Sequence, residues 1–250
     1  MLENRQFKLT IAYDGTDFSG WQIQKNGKSI ANLIERSFKA VFKQEIHLIG
    51  ASRTDAGVHA FGQVATFFTN LSIDAYIIQR ALQASMPASV VIRSCELVPS
   101  SFHPRFNVVQ KTYWYHFSLE QLVPWVQRSV YFHSQPLDLN LLEEGLKVFV
   151  GIHDFRSFCT GNDAKTTVRV IKSINLEYND QLGCYRIVFK GPSFLRYMIR
   201  RIVGASLHCA QKKLDSALLS KVLEEKNPRQ RLPTAPAHGL LLYEINYKDS

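Results

Sequence analysis

Phe7-Lys8-Leu9-Thr10-Ile11-Ala12-Tyr13-Asp14-Gly15 is the stretch whose reading decides the fold. Phe7, Leu9, Ile11 and Tyr13 alternate with Lys8, Thr10 and Ala12, the period of two expected of a strand with one face on a core. Asp14-Gly15 closes it with turn chemistry. Ile30, Leu33, Ile34, Phe38, Val41 and Phe42 then recur at helical spacing behind Ser29, a residue type that caps helix N-termini. Strands are predicted at 45–49 and 62–68. A second helix follows, capped by Ser72, with Ile73, Tyr76, Ile77 and Ala81 as its apolar face and Pro87 ending it. Val90 to Val98 returns as a strand, and the order β-α-β-β-α-β is the ferredoxin-like arrangement.

The second half repeats that order. Lys111 to Phe117 alternates, with Tyr113, Tyr115 and Phe117 on one face and Thr112, Trp114 and His116 on the other. A helix is expected over Leu139 to Val150, strands at 168–178 and 184–190, a long helix from Ser193 to Gln211, an extra helix from Leu214 to Lys226, and a last strand from Leu240 to Tyr247. The reading is α+β, in two ferredoxin-like halves: residues 1–105, and residues 106–250 with the extra helix. The repeat lies in the order of elements, with the boundary near 100–110.

At 250 residues, with 46% hydrophobic and 20% charged, the chain has ordinary globular composition. Its formal net charge of +9 is less ordinary and favours a polyanionic partner such as nucleic acid or an anionic surface. The start, Met1-Leu2-Glu3-Asn4-Arg5, is polar with no apolar signal core behind it, and no run approaches a bilayer span. Cys95, Cys159, Cys184 and Cys209 form no C-x-x-C pair, so neither a zinc site nor a disulfide framework is indicated. A cytoplasmic chain with buried, reduced thiols is the expectation. Gly27-Lys28-Ser29 ends like a phosphate-binding loop, but Gln22 stands where that loop needs glycine. His153-Asp154 lacks further ligands nearby, so no metal site is expected. Motifs of serine hydrolases, zinc peptidases and dinucleotide enzymes are absent.

Four clusters carry possible chemistry. Between Gly50 and Gly62, the loop Ala51-Ser52-Arg53-Thr54-Asp55-Ala56-Gly57-Val58-His59-Ala60 holds an Arg and an Asp two positions apart. The others are Tyr13-Asp14-Gly15-Thr16-Asp17-Phe18-Ser19-Gly20-Trp21-Gln22, Lys111-Thr112-Tyr113-Trp114-Tyr115, and Phe194 to Arg201. In the last, Arg196 and Arg200 stand at i and i+4, on one side of the expected helix. Together they supply a carboxylate, guanidinium groups for it and for phosphates, and aromatic faces for a base, the parts of an RNA-handling site. Lys165, Arg169 and Lys172, and Arg128, Lys212 and Lys213, are weaker basic candidates. His59 reads as structural.

The strings Tyr13 to Gln22, Ala51 to Ala60 and Thr234-Ala235-Pro236-Ala237-His238-Gly239-Leu240 resemble the tRNA pseudouridine synthase A family. The likeness runs from Lys8 to Tyr247 with the motifs in family order. It implies one extended antiparallel sheet flanked by helices, a homodimer, no cofactor or metal, and isomerisation of uridine to pseudouridine at positions 38 to 40 of the tRNA anticodon stem-loop. Asp55 would be the nucleophile or essential carboxylate, and Arg53 would hold the flipped nucleotide. Tyr113 would stack on the uracil and assist proton removal, Arg200 would pair with Asp55, and Leu240 would line the pocket. Arg196 is taken as a substrate-binding residue, and the second half as completing the cleft. This chain departs from the family pattern at Ser52, usually Gly, at Ala31, often Gln, and at Arg196-Tyr197. The alternatives are a non-catalytic RNA-binding or RNA-folding module, against which the carboxylate of Asp55 speaks, and a paralogue acting on another RNA site.

Overall fold

The structure, a computed structural model, describes residues 4–24, 27–161 and 166–248. The fold is mixed α/β, with a large, mostly antiparallel sheet flanked by helices. The chain divides into two compact units, Met1–Val109 with Leu242–Ser250, and Gln110–Leu241. The closing strand, placed with the second half in the sequence reading, is therefore counted mostly with the first unit.

The first unit runs β1 (Arg5–Tyr13), α1 (Ile30–Phe42), β2 (Ile49–Gly50), β3 (His59–Thr69), α2 (Ala75–Ala84) and β4 (Val90–Val98). β1 is central, antiparallel to β3 from Arg5↔Thr69 to Tyr13↔Ala60 and to β4 from Gln6↔Val98 to Tyr13↔Val90. The period of two in β1 has the expected result: Phe7, Leu9 and Ile11 are buried, with Ile30, Ile34 and Phe38 of α1 and Ile78 and Leu82 of α2 in the same core. Phe67 joins it, its ring 5.7 Å from Phe7 and 5.1 Å from Phe38. Ser29 caps α1 as read, its hydroxyl accepting the Asn32 N–H.

Two readings in this unit are corrected. The strand expected at 45–49 is reduced to Ile49–Gly50, because the Leu48 N–H donates to Glu35 Oε1 (2.8 Å), a side chain in place of a neighbouring strand. α2 is capped by Asp74 and not by Ser72, its carboxylate accepting the Tyr76 N–H at 2.7 Å. The later start turns Ile78 and Leu82, one helical turn apart, into the core and leaves Tyr76 and Ile77 exposed at 64% and 54%.

The second unit runs β5 (Val108–Ser118), α3 (Pro124–Gln127), β6 (Tyr131–Phe132), α4 (Leu139–Lys147), β7 (Gly151–Asp154), β8 (Val168–Ile171), β9 (Ser173–Asn179), β10 (Cys184–Gly191), α5 (Met198–Lys212) and α6 (Ala217–Glu225); β11 (Leu240–Tyr247), mostly in the first unit, closes the chain. β10 pairs antiparallel with both β5 and β9, and β6 adds in parallel to β5. Tyr113, Tyr115 and Phe117 are buried as the alternation predicts, but Thr112 and His116 of the other face are buried as well. The strand expected at 168–178 is two. β8 pairs with β7 in a small separate ladder and β9 with β10, and between them the Lys172 N–H donates to the Lys190 carbonyl (2.7 Å). α3, β6 and β7 were not foreseen, and α4 stops short of Val148–Val150.

α5 begins at Met198 and not at Ser193, because Tyr197 takes a left-handed backbone conformation (φ 63°) that an α-helix cannot include. Arg196 therefore lies in the turn before the helix. The proposed i, i+4 pairing of Arg196 and Arg200 on one helical face does not exist. In the first unit β11 lies beside β3, where Tyr243 stacks on Phe61 with ring centroids 5.5 Å apart.

Candidate active site

The loop between β2 and β3 is held from beneath by side chains distant in sequence. Gln63, fully buried on β3, spans its base: Nε2 donates to the Ser52 carbonyl (2.7 Å), and Oε1 accepts the N–H groups of Ser52 and Val64 (3.2 Å each). Both backbone groups of Ser52 are thereby satisfied in a buried place. Tyr13, at the end of β1, shares a buried 2.8 Å hydrogen bond with the Thr54 hydroxyl. Thr54 points inward, Arg53 is exposed and Asp55 is half-buried.

The second motif string, Tyr13 to Gln22, packs directly on this loop. Trp21 donates its backbone N–H to the Thr54 carbonyl (3.1 Å), and the Gly57 N–H donates to the Phe18 carbonyl (3.3 Å). Gly20 sits at φ +95°, and a Cβ there would run into the Thr54 carbonyl and the backbone of Asp55. Gly57, at φ +76°, takes the turn after Asp55 in a conformation that favours glycine. Ser52 is not among the residues with positive φ, so the loop accepts a side chain where the family usually has Gly. His59 is buried, and its Nδ1 accepts the Gly15 N–H (3.1 Å), in keeping with a structural role.

The second unit assembles a separate group. Tyr113 on β5 meets the Phe194 ring edge-on, with centroids 5.3 Å apart. Arg200, near the start of α5, donates from Nε to the Ala235 carbonyl (2.8 Å), and its own carbonyl accepts the Ala235 N–H (2.9 Å). The third motif string is thus strapped to Arg200. The strap also accepts the Tyr115 hydroxyl at the Pro236 carbonyl (3.1 Å). Burial pushes the Tyr115 phenol well above its usual range, Tyr131 adding to this and the Arg200 charge opposing it. Leu240, at the strap's end, is buried. The guanidinium groups of Arg196 and Arg200 lie 5.4 and 4.9 Å from the centre of the Tyr197 ring. Arg196 thus shares an aromatic ring with Arg200, although not a helical face.

Other basic candidates have structural duties or fall outside the site. Arg169 donates to the carbonyls of Thr166 and Val168, and Arg201 to those of Ser157 and Cys159. Lys165 lies outside the described residues. Among the described residues no group of three or more His, Cys, Asp and Glu is placed to hold a metal ion, and no helix is long and apolar enough to cross a membrane. Reading by pattern passed over Gln63 and Arg105. Arg105 donates from Nε to the Gly50 carbonyl (2.9 Å) at the root of the loop. Its partner is far away in sequence, and no local signal marks such a contact.

Comparison with known proteins agrees with this arrangement. A family model described as tRNA pseudouridine synthase matches residues 9–107 and 146–248. The tRNA pseudouridine synthase A of Thermodesulfovibrio yellowstonii is 35% identical over 250 residues, 96% of this chain and 98% of that protein. That of Acetivibrio thermocellus is 38% identical over 245 residues, 97% of this chain and 100% of that protein. A relative from Protochlamydia amoebophila, named tRNA pseudouridine synthase A 1, is 37% identical over 97% of this chain and 96% of its own length. With matches of this length on both sides and the three motif strings interlocked within their units, the chain belongs to the tRNA pseudouridine synthase family, whose members isomerise uridine to pseudouridine.

Proposed function

We propose that this enzyme converts uridine to pseudouridine at one or more of positions 38, 39 and 40 of the tRNA anticodon stem-loop, with Asp55 as its essential carboxylate. The observation that carries the proposal is the anchoring of the Arg53-Thr54-Asp55 loop, in which buried Thr54 is bound to Tyr13 while Arg53 is exposed and Asp55 half-buried. Such a loop presents its carboxylate at little cost in ordering when RNA arrives.

The chemistry requires few parts. The C1′–N1 bond of uridine breaks, a C1′–C5 bond forms, the proton leaves C5, and N1 gains one. Substrate and product are isomers, so the balance needs no oxidant, reductant or co-reactant, and the proposed reaction uses no cofactor or metal. A carboxylate can attack the nucleotide or stabilise positive charge developing on the sugar. Asp55 takes that role. Arg200, whose Nε is fixed by the Ala235 carbonyl, is the proposed partner that keeps Asp55 ionised once RNA excludes water.

A uridine in a helical stem must leave its stack, which costs a few kcal/mol. Stacking on Tyr113, worth roughly 1–3 kcal/mol per base, offsets a comparable amount. In this reading Tyr113 also assists removal of the C5 proton, Arg53 holds the flipped nucleotide, Arg196 adds a backbone contact, and Leu240 gives the pocket an apolar wall. The enzyme acts in the cytoplasm as a homodimer, giving a small subunit the surface to grip both stem-loop and tRNA body. Light scattering should return the dimer mass, and a monomer at working concentration would refute that part.

Pseudouridine mapping by carbodiimide and primer extension, on tRNA treated with this enzyme or its Asp55→Ala variant, tests the core of the proposal. Stops at 38 to 40 are expected with the wild type and none with the variant, while tRNA binding persists. Stops elsewhere would move the substrate to that of a paralogue, and activity surviving in the variant would remove Asp55 from its role.

A further inference from the structure

The turn that follows β4, residues 99–107 of the first unit, touches the site described so far only through Arg105 at the loop's root. It is rigidly built. Phe102 donates its N–H to the Pro99 carbonyl (2.9 Å), and Asn107 Oδ1 accepts the His103 N–H (2.6 Å). His103 Nδ1 accepts the N–H groups of Arg105 and Phe106 (3.1 and 3.4 Å). From outside the turn, Gln6 Nε2 donates to the Phe102 carbonyl (2.9 Å) and the Tyr247 hydroxyl to that of Pro104 (3.0 Å).

On this rigid base stands Phe106, 83% exposed, with the His103 ring lying against it 4.1 Å away and inclined by 26°. A fixed aromatic ring open to water forgoes the free energy that burying it would bring, so its cost is recovered when something covers it. The residue before it, Arg105, reaches the Gly50 carbonyl and so lies at the root of the loop that carries Arg53. Arg105 is thus tied to Gly50, three residues before Arg53 along the loop's root, and burial, then the charge of Arg53, lowers its pKa. Two like charges held together repel, and an anion between them relieves the repulsion. Neighbouring guanidinium groups beside an open, rigid ring provide for a phosphate and a base at once.

We infer that the turn is a second RNA-contact element, in which Arg105 and Arg53 take one backbone phosphate between them and Phe106 stacks on an unpaired base beside it. The inference rests on the reading of the Arg53 loop as a tRNA site. The turn thereby sets where the nucleic acid strand runs as it leaves Asp55. The net charge of +9 favours RNA over an acidic protein patch only generally; the pairing of fixed ring and adjoining guanidinium groups is the specific argument.

The test is a fluorescence-anisotropy titration of the full chain with labelled, unmodified tRNA over a series of salt concentrations. Phe106→Ala should weaken binding on the order of tenfold, as the loss of one base stack does. Its melting temperature should hold, because the ring is exposed. Arg105→Gln should lower the slope of log affinity against log salt by about one, the loss of one phosphate contact. Arg105→Lys, which keeps the charge, should retain the slope. Wild-type affinity and slope in both Phe106→Ala and Arg105→Gln would overturn the inference. So would a Phe106→Ala variant that binds tRNA normally but loses dimer mass in light scattering, which would turn the ring toward a second copy. If the wild type modifies tRNA and the variants match it, this inference alone fails; if the wild type neither binds nor modifies tRNA, the proposed function fails and takes this inference with it.

Discussion

Gln63 holds the base of the candidate site's loop from a position on β3 that carries none of the site's charged groups. It satisfies both the N–H and the carbonyl of Ser52, the residue before exposed Arg53 and three before Asp55. Gln63→Leu keeps nearly the same volume and removes both partners. Each stranded buried group costs about 1–3 kcal/mol. The variant should therefore unfold at a markedly lower urea midpoint with an unchanged m value, and pseudouridine formation should fall along with it. A change under about 0.5 kcal/mol would mean that water replaces the amide without loss. Arg53 and Asp55 stood out as candidates in the string Ala51 to Ala60, because charged types in a loop pattern suggest chemistry from the residues themselves. Gln63 and Arg105 did not. Their meaning lies in partners 11 and 55 positions away, which only the fold brings close.

Among the elements, those with strong periodicity were read correctly and those fixed by a tertiary partner were not. β1, α1, β4, β10 and β11 follow from alternation or helical spacing, and Ser29 from its capping chemistry. α2 shows the limit. Ser72 and Asp74 are both good caps, and Ile73, Tyr76, Ile77 and Ile78 offer more than one apolar stripe. The choice falls to the sheet below, which receives Ile78 and Leu82, while the carbonyls of Leu71 and Ile73 are occupied by Arg5. Asp74→Ala should thus cost about 1 kcal/mol of stability in chemical denaturation, and Ser72→Ala should stay within about 0.5 kcal/mol of wild type. The opposite ranking would restore the earlier start. The entry to α5 escaped the sequence for a related reason. Nothing in Phe194-Leu195-Arg196-Tyr197 forbids helix, and a tyrosine at φ 63° is unusual enough that no pattern anticipates it. Its ring lies within reach of the guanidinium groups of Arg196 and Arg200, a tertiary arrangement no local pattern encodes.

At the scale of the whole molecule, the four thiols and two phenols report on how tightly the interior is closed. Cys95, Cys159, Cys184 and Cys209 are free and buried. Burial, aided by the charges of Glu96 and Asp74, pushes Cys95 up to about 12, and burial takes Cys184 to about 11. Cys159 and Cys209 are raised as well, and the phenols of Tyr115 and Tyr247 are raised by burial in the same way. In every case the folded state holds its proton longer than the unfolded chain, whose thiols titrate near ~8.5 and phenols near ~10. The stability these groups supply is therefore complete below pH ~8.5 and is lost as pH rises toward their folded values, because the unfolded state then binds fewer protons than the native one. With reductant present, the melting temperature should show no decline from these groups between pH 6 and 8 and should fall steadily above pH ~9. Cys95→Ala, which lacks one of the most strongly shifted thiols, should start less stable because of its cavity but decline less steeply. A melting temperature level to pH 11 would mean that the native thiols ionise without opening the fold, and native-state alkylation at that pH would then proceed at the rate of an exposed cysteine.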